Sequence, residues 1–243
     1  MKELKYLLLQ ARKAGDPMIK QELNCFQKAL KCSEKNINSI DLIRDEVSLS
    51  SFEKVDAVII GGSGDYSIAH GGSWMNRVLD IMNYLYNNSK ITFASCWGFQ
   101  AMAKARGGSV VHDLNRAELG TIKLQVTDAG KKDIIFKELP INFFAQMGHE
   151  DIVEKLPKDA ILLASSKKVK NEAFCFKNRP IYCTQFHPEM DKKDIRERME
   201  IYPSYVEKIL GITNKEFIQK RCFDTKDTDT LILNFINHYL GYN

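Results

Sequence analysis

From Lys5 to Arg106 the chain alternates short apolar runs with stretches of helical spacing, and that order leaves few folds open. Lys5 to Gln10 (KYLLLQ) reads as a buried strand. Asp16 and Pro17 then open a helix, because aspartate caps free backbone N–H groups and proline suits the first helical position. Phe26, Ala29 and Leu30 continue it at helical spacing. Ile37 to Ile43 is a second apolar run, interrupted by Asp41. Val55 to Ile60 (VDAVII) is a third strand and runs into Gly61-Gly62-Ser63-Gly64. Trp74 to Tyr86 has helical periodicity, Ile91 to Ser95 is a fourth strand, and Trp97 to Arg106 is helical again. Strands separated by helices lie parallel and are joined by right-handed crossovers. The working edge of such a sheet lies at the carboxyl ends of its strands. Two turns of unusual composition fall there, Gly61 to Gly64 and Ser95 to Gly98.

The pattern changes beyond Arg106. Leu119 to Thr127 (LGTIKLQVT) alternates apolar and polar residues, as a half-exposed antiparallel strand does. Ile141 to Met147, Ala160 to Ala164, Glu172 to Phe176 and Pro180 to Phe186 are further strand candidates. The chain after Asp191 is helical and charged. Its last segment, Thr228 to Leu240, carries Leu231, Leu233, Phe235, Ile236 and Tyr239, a set suited to packing back on the sheet. No repeat, low-complexity stretch or linker divides the 243 residues. The expectation is one domain, residues 1–243. Its fold class is α/β, doubly wound about a mostly parallel central sheet with a small antiparallel sheet. A helical extension begins at about residue 191.

Composition narrows the function. A net charge of +4 is too small to argue for nucleic acid, and no basic cluster is interleaved with aromatics. None of the six cysteines forms a C-x-x-C pair, so no zinc site is expected. No apolar run approaches the roughly 18 residues that span a membrane. The N-terminal run lacks a signal-peptide layout. A reduced, cytoplasmic protein with free thiols and no membrane partner is the expectation.

In Ala94-Ser95-Cys96-Trp97-Gly98-Phe99-Gln100 a strand enters, a helix leaves, and a cysteine sits at the turn. This is a nucleophile-elbow arrangement, which needs small residues two before and two after the nucleophile. Ala94 and Gly98 meet that demand. The helix N-terminus favours a thiolate, and the Trp97 N–H would face a developing oxyanion. A buried, inert core cysteine is the alternative. In Gln185-Phe186-His187-Pro188-Glu189 an apolar strand ends at a histidine. His187 could take the thiol proton and Glu189 could fix its tautomer, whereas a solvated surface turn is the alternative. The two motifs together, in the order Cys, His, Glu and each at a strand end, favour the catalytic reading. Gly61 to Gly64 is expected beside the elbow, its backbone N–H groups open to a substrate oxygen. It matches neither phosphate-loop pattern, so no nucleotide or other cofactor is expected.

These segments, over about residues 55 to 190, resemble the class I glutamine amidotransferase family. They are closest to the glutaminase domain of GMP synthase and its stand-alone homologues. The elbow G-x-C-x-G-H-Q, the strand G-x-Q-F-H-P-E and the loop G-G-P-G-S correspond to Ala94–Gln100, Cys183–Glu189 and Gly61–Asp65. Met147-Gly148-His149-Glu150-Asp151 resembles an S-H-G-D segment, and Glu118 with Gly120 resembles an E-x-G. The resemblance implies a flavodoxin-like fold. It implies that Cys96 attacks the glutamine side-chain amide, His187 protonates the departing ammonia and Glu189 orients His187. It further implies oxyanion donors at Gly62 and Trp97, and substrate contacts at Gln100, Gly148 and His149, with no metal. Phe99 replaces the family histidine, Ala94 and Cys183 replace glycines, and Ser63 replaces a proline. Cys183 is expected to be a core thiol, with a second redox-active thiol as the alternative.

The S-G-G-V-D-S loop of the ATP-pyrophosphatase domain is missing from the sequence. The expectation is therefore a small-molecule substrate, glutamine or a γ-glutamyl compound. Ammonia would pass to a separate synthetase subunit, or the protein would work without one. The competing expectations are a stand-alone γ-glutamyl peptidase, a non-enzymatic thiol sensor on the same fold and a docking subunit.

Overall fold

The computed structural model describes residues 3–241. The strand–helix alternation is realised as β1 (Tyr6–Gln10), α1 (Met18–Leu30), β2 (Ile37–Asp41), α2 (Ser50–Glu53), β3 (Ala57–Ile60), α3 (Met75–Asn87), β4 (Thr92–Ser95) and α4 (Trp97–Ala105). Asp16 Oδ1 accepts from the Met18 N–H at 2.8 Å, so the expected acidic cap starts α1. The middle of the chain supplies β5 (Ser109–His112), β6 (Glu118–Val126), β7 (Asn142–His149), β8 (Asp151–Lys155), β9 (Ala160–Ser166), β10 (Ala173–Phe176) and β11 (Ile181–Thr184). The tail forms α5 (Lys192–Ile201), α6 (Pro203–Leu210), α7 (Asn214–Lys220) and α8 (Leu231–Leu240).

Among the described residues the main sheet runs β2-β1-β3-β4-β11-β10-β9-β6-β7. The five strands from β2 to β11 are mutually parallel. The remaining strands join antiparallel. The alternating strands of the middle region thus extend the central sheet, and the separate small antiparallel sheet pairs β5 with β8. Periodicity marks neither β5 nor β8. Both are short, and a bulge at Ser109 and Val110 breaks their register.

The parallel strands β1, β3, β4 and β11 are buried on both faces, as helical crossovers require, while the edge strand β2 exposes Asn38 and Ser39. In β1, Tyr6 and Leu8 join one core with Phe26, Phe93 and Phe235, while Leu7 and Leu9 join the opposite core with Val78, Met82 and Phe99. The terminal α8 buries Leu231, Ile232, Phe235 and Ile236 in the first core. A third cluster is built from Ile195, Met199, Val206 and Phe217 of the tail with Leu119 and Met190. It clamps α5 to α7 over the carboxyl edge of the sheet. Gly120 makes that clamp possible. At φ +94° it lets the Thr121 N–H reach the Arg221 carbonyl at 2.7 Å.

A Cβ at Gly120 would stand 2.5 Å from that carbonyl oxygen and 2.9 Å from the Phe217 ring, at a φ that side chains rarely adopt. Gly120→Ala is therefore expected to lower unfolding free energy by about 1–3 kcal/mol in urea titration. A loss below ~0.5 kcal/mol would contradict this close approach.

Candidate active site

The carboxyl ends of β3, β4 and β11 lie side by side and bring three distant segments together. Cys96 stands between β4 and α4 with φ +51° and ψ −101°. Holding a non-glycine residue there costs on the order of 1–3 kcal/mol, which the surrounding packing must offset. Two hydrogen bonds hold the turn. The Cys96 N–H donates to the Thr184 carbonyl at 2.7 Å, and the Gly98 N–H donates to the Gly61 carbonyl at 3.1 Å. A Cβ at Gly98 would lie 2.7 Å from Ile60 Cγ2, so a small residue is needed for α4 to leave the strand at this angle.

His187 reaches the same point from beyond β11. That strand ends at Thr184, earlier than periodicity predicts, because Thr184 Oγ1 turns back to the Phe186 carbonyl at 2.8 Å. The His187 N–H then donates to the Gln146 carbonyl at 2.9 Å, which fixes its backbone against β7. Its Nδ1 lies 2.7 Å from Glu189 Oε1, and Ser95 Oγ donates to the same oxygen at 3.3 Å. Burial disfavours a charged ring here. The Glu189 carboxylate, the Cys96 sulfur and hydrogen bonds to both outweigh it and push the His187 pKa up to about 9. Cys96, His187 and Glu189 are all buried.

The other expected residues fall around this array. Gly62 packs against it: a Cβ there would lie 3.0 Å from His187 Cε1 and 3.7 Å from Cys96 Cβ. Its N–H, however, is already given to Glu22 Oε1 at 2.8 Å. Glu22 is fully buried and also bonded to Arg12 Nη2 and Gln10 Nε2, each at 2.9 Å. Burial raises the Glu22 pKa, but Arg12 more than reverses this and keeps the carboxyl below its ordinary range. The Trp97 N–H opens α4 and has no acceptor among the described residues. Gln100 lines the cavity at Cys96, yet its amide N–H groups are spent on the Asp151 carbonyl at 3.0 Å and Gln185 Oε1 at 3.1 Å. Through that second bond it aims Gln185 Nε2 at Cys96 Sγ, 3.7 Å away. The Gly148 carbonyl lies 3.7 Å from the same sulfur. Cys183 is buried in the sheet, which drives its thiol pKa well above the ordinary value.

His149 turns inward to a cluster that spacing does not reveal. Glu118, His149 and Glu172 each bring one potential ligand atom within 4.8 Å of the others. His149 Nε2 is 3.4 Å from Glu118 Oε2, and Ser166 Oγ donates to Glu118 Oε1 at 2.9 Å. Burial and the adjoining Glu118 raise the Glu172 pKa well above the carboxylate range. A proton on Glu172 relieves the repulsion between the two carboxyls, while Glu118 Oε2, both His149 ring nitrogens and both Glu172 oxygens stay buried without a hydrogen-bond partner.

Two cavities meet at Cys96. The larger, about 610 Å³, is polar and takes in Ser63, Gln100, Glu150, Asp151, Tyr205 and Lys208. The smaller, about 190 Å³, reaches Cys96 from the His187 side. Helix α6 contributes Ser204 and Tyr205 to both. From its sequence the tail is expected only to pack on the sheet or to dock on a partner. No local signal in its residues marks it as a wall of this site.

The site thus sets a buried cysteine at a strained strand–helix turn beside a histidine held by a glutamate. The sequence profile described as glutamine amidotransferase class-I matches residues 19–200. The chain belongs to the class I glutamine amidotransferase family. A GMP synthase (glutamine-hydrolyzing) of Petrotoga mobilis is 28% identical over 76% of this chain, which spans 34% of that protein's length. A GMP synthase (glutamine-hydrolyzing) subunit of Sulfurisphaera tokodaii is 29% identical, covering 68% of this chain and 83% of its own. Gamma-glutamyl peptidase 4 of Arabidopsis thaliana is 28% identical, covering 76% and 74%. In fold, the chain matches a glutamine amidotransferase structure from Thermotoga maritima with a TM-score of 0.77. That match has 18% identity and covers 98% of both chains. Among the described residues no helix is long and apolar enough to cross a membrane.

The raised His187 pKa is directly testable. The proton binds the folded state more tightly than the unfolded one. The stability it adds is complete below about 6.5, the unfolded value, and is lost as pH climbs through about 9. Replacing Glu189 with Gln removes the largest charge that favours the imidazolium. NMR titration of the His187 ring in Glu189→Gln should show a midpoint lower by about one unit or more. An unmoved midpoint would mean that Glu189 does not set the ring's charge.

Proposed function

We propose that this protein hydrolyses the γ-amide C–N bond of glutamine or of a γ-glutamyl compound through Cys96, His187 and Glu189. The observation that carries this reading is the buried His187–Glu189 bond of 2.7 Å beside Cys96 at its positive-φ turn. The Cys96 thiolate adds to the γ-carbonyl carbon. The Trp97 N–H faces the oxygen that becomes negative, and Gly62 joins it only by exchanging Glu22 for that oxygen. The C–N bond breaks as the imidazolium of His187 gives its proton to the leaving nitrogen. Water then attacks the γ-glutamyl thioester and passes a proton to His187. The C–S bond breaks, which releases glutamate and restores the thiolate–imidazolium pair.

Two substrate readings follow. With glutamine the leaving group is ammonia. The relatives named as individual GMP synthase subunits support its delivery to a separate synthetase subunit. With a γ-glutamyl peptide the leaving group is a larger amine. The second cavity on the His187 side and the likeness to a gamma-glutamyl peptidase support that alternative.

Purified protein should release glutamate from glutamine or from a γ-glutamyl dipeptide, and a panel of both kinds compared by kcat/KM tests it. Cys96→Ala should lower kcat/KM by roughly 10³-fold or more while circular dichroism stays unchanged. Turnover that survives in this variant removes Cys96 from the reaction and ends the proposal.

A further inference from the structure

The smaller cavity has features that ammonia would not use. It measures about 190 Å³, whereas one water-sized molecule needs only ~10–15 Å³. His187 lines this cavity and not the larger one. The group that protonates the leaving nitrogen therefore faces this chamber. The larger, polar cavity remains for the γ-glutamyl half of a substrate.

The chamber walls mix apolar surface with guanidinium. Met190 follows the His187 segment, Ile195 and Met199 come from α5, and Arg12 and Arg198 also line it. The two arginines differ in their partners. Arg12 is paired with Glu22 at 2.9 Å and with Asp16 at 3.6 Å. Arg198 is 8% exposed, and its acceptor is the neutral Gln21 Oε1, which it reaches with Nε at 3.2 Å and Nη2 at 3.0 Å. Among the described residues no carboxylate lies within ion-pair distance of Arg198, and its Nη1 has no acceptor. Asp65, which also lines the chamber, is paired with Lys13 at 2.6 Å. A buried guanidinium normally takes an anionic partner in direct contact, whereas Arg198 has the attraction of Glu22 at longer range, a carboxylate already paired with Arg12. Planar bidentate recognition of a carboxylate is what this group does best.

We infer that Arg198 binds a carboxylate on the leaving group, so the preferred substrate is a γ-glutamyl peptide whose departing amine is an amino acid or short peptide with a free carboxyl end. This rests on the hydrolase reading above and on its second substrate alternative. The amine nitrogen stands at His187, the carbon body lies along Met190, Ile195 and Met199, and the carboxylate meets Arg198. No chemistry is added to the reaction. Arg198 is a specificity residue, and it acts on the choice between leaving groups.

The test compares a γ-glutamyl dipeptide bearing a free C-terminal carboxylate with the same dipeptide as its C-terminal amide, on one enzyme preparation. The ratio of the two kcat/KM values is independent of the fraction of folded enzyme. The free acid should be preferred by about 10- to 100-fold, the contribution of a charge-assisted hydrogen bond. In Arg198→Gln the ratio should collapse towards one, and in Arg198→Lys part of it should return. Equal rates for acid and amide in the native protein would overturn the inference while leaving the hydrolase reading intact. So would a ratio that persists in Arg198→Gln. Absence of turnover with both peptides and with glutamine would defeat the hydrolase reading, and this inference with it.

Discussion

The backbone at Cys96 is the constraint on which the rest of the site depends. A cysteine at φ +51° is tolerated because strand and helix meet with almost no space between them. Gly98 lies against Ile60 where no Cβ fits, and its N–H is taken by the Gly61 carbonyl. The Cys96 N–H is taken by β11. The turn is thus bonded on one side to the loop after β3 and on the other to the strand that leads to His187. Strain at the cysteine and convergence of the three segments are two consequences of one packing arrangement. Any side chain at position 98 would move α4, and with it the Trp97 N–H.

Electrostatics refine that framework. The imidazole sits in a buried place that should keep it neutral, yet Glu189 and the Cys96 sulfur hold the proton on it. The neighbouring Glu118–Glu172 pair follows the opposite logic. With two carboxyls side by side and His149 turned to Glu118, burial drives a proton onto Glu172. The core therefore places a charged pair and a neutralised pair a few residues apart. Glu22 adds a third buried carboxylate, kept ionised by Arg12 and bonded to Gly62. It ties the state of the glycine loop to the first helix.

Much of this was legible in the sequence, and the parts that were not share a cause. Strands β1, β3 and β4 were readable because full burial writes continuous apolar runs between turn residues. The elbow was readable because steric demand fixes residue size at positions 94 and 98. His187 and Glu189 were readable because a single residue separates them. The Glu22–Gly62 bond joins residues 40 apart, and the Glu118, His149 and Glu172 cluster draws on β6, β7 and the bend before β10. No local spacing encodes either contact. The chamber wall is harder still. Residues of α5 and α6 read as an ordinary charged amphipathic tail, and only the packing of Ile195, Met199, Val206 and Phe217 turns that tail over Cys96. The family profile ends at residue 200, so α6 lies outside it. The walls of the smaller cavity are thus carried by the least predictable segment, while Cys96, His187 and Glu189 are carried by the most predictable.

The most direct measurement is site mapping with a glutamine analogue that carries a diazoketone in place of the side-chain amide. Six cysteines are present, and a single one of them stands at the elbow beside His187. Peptide mass spectrometry should find the label on Cys96 alone, and an excess of substrate should slow its attachment. A label on any other cysteine, or a protein left unmodified at Cys96, would contradict a thiol reaction centred on this turn.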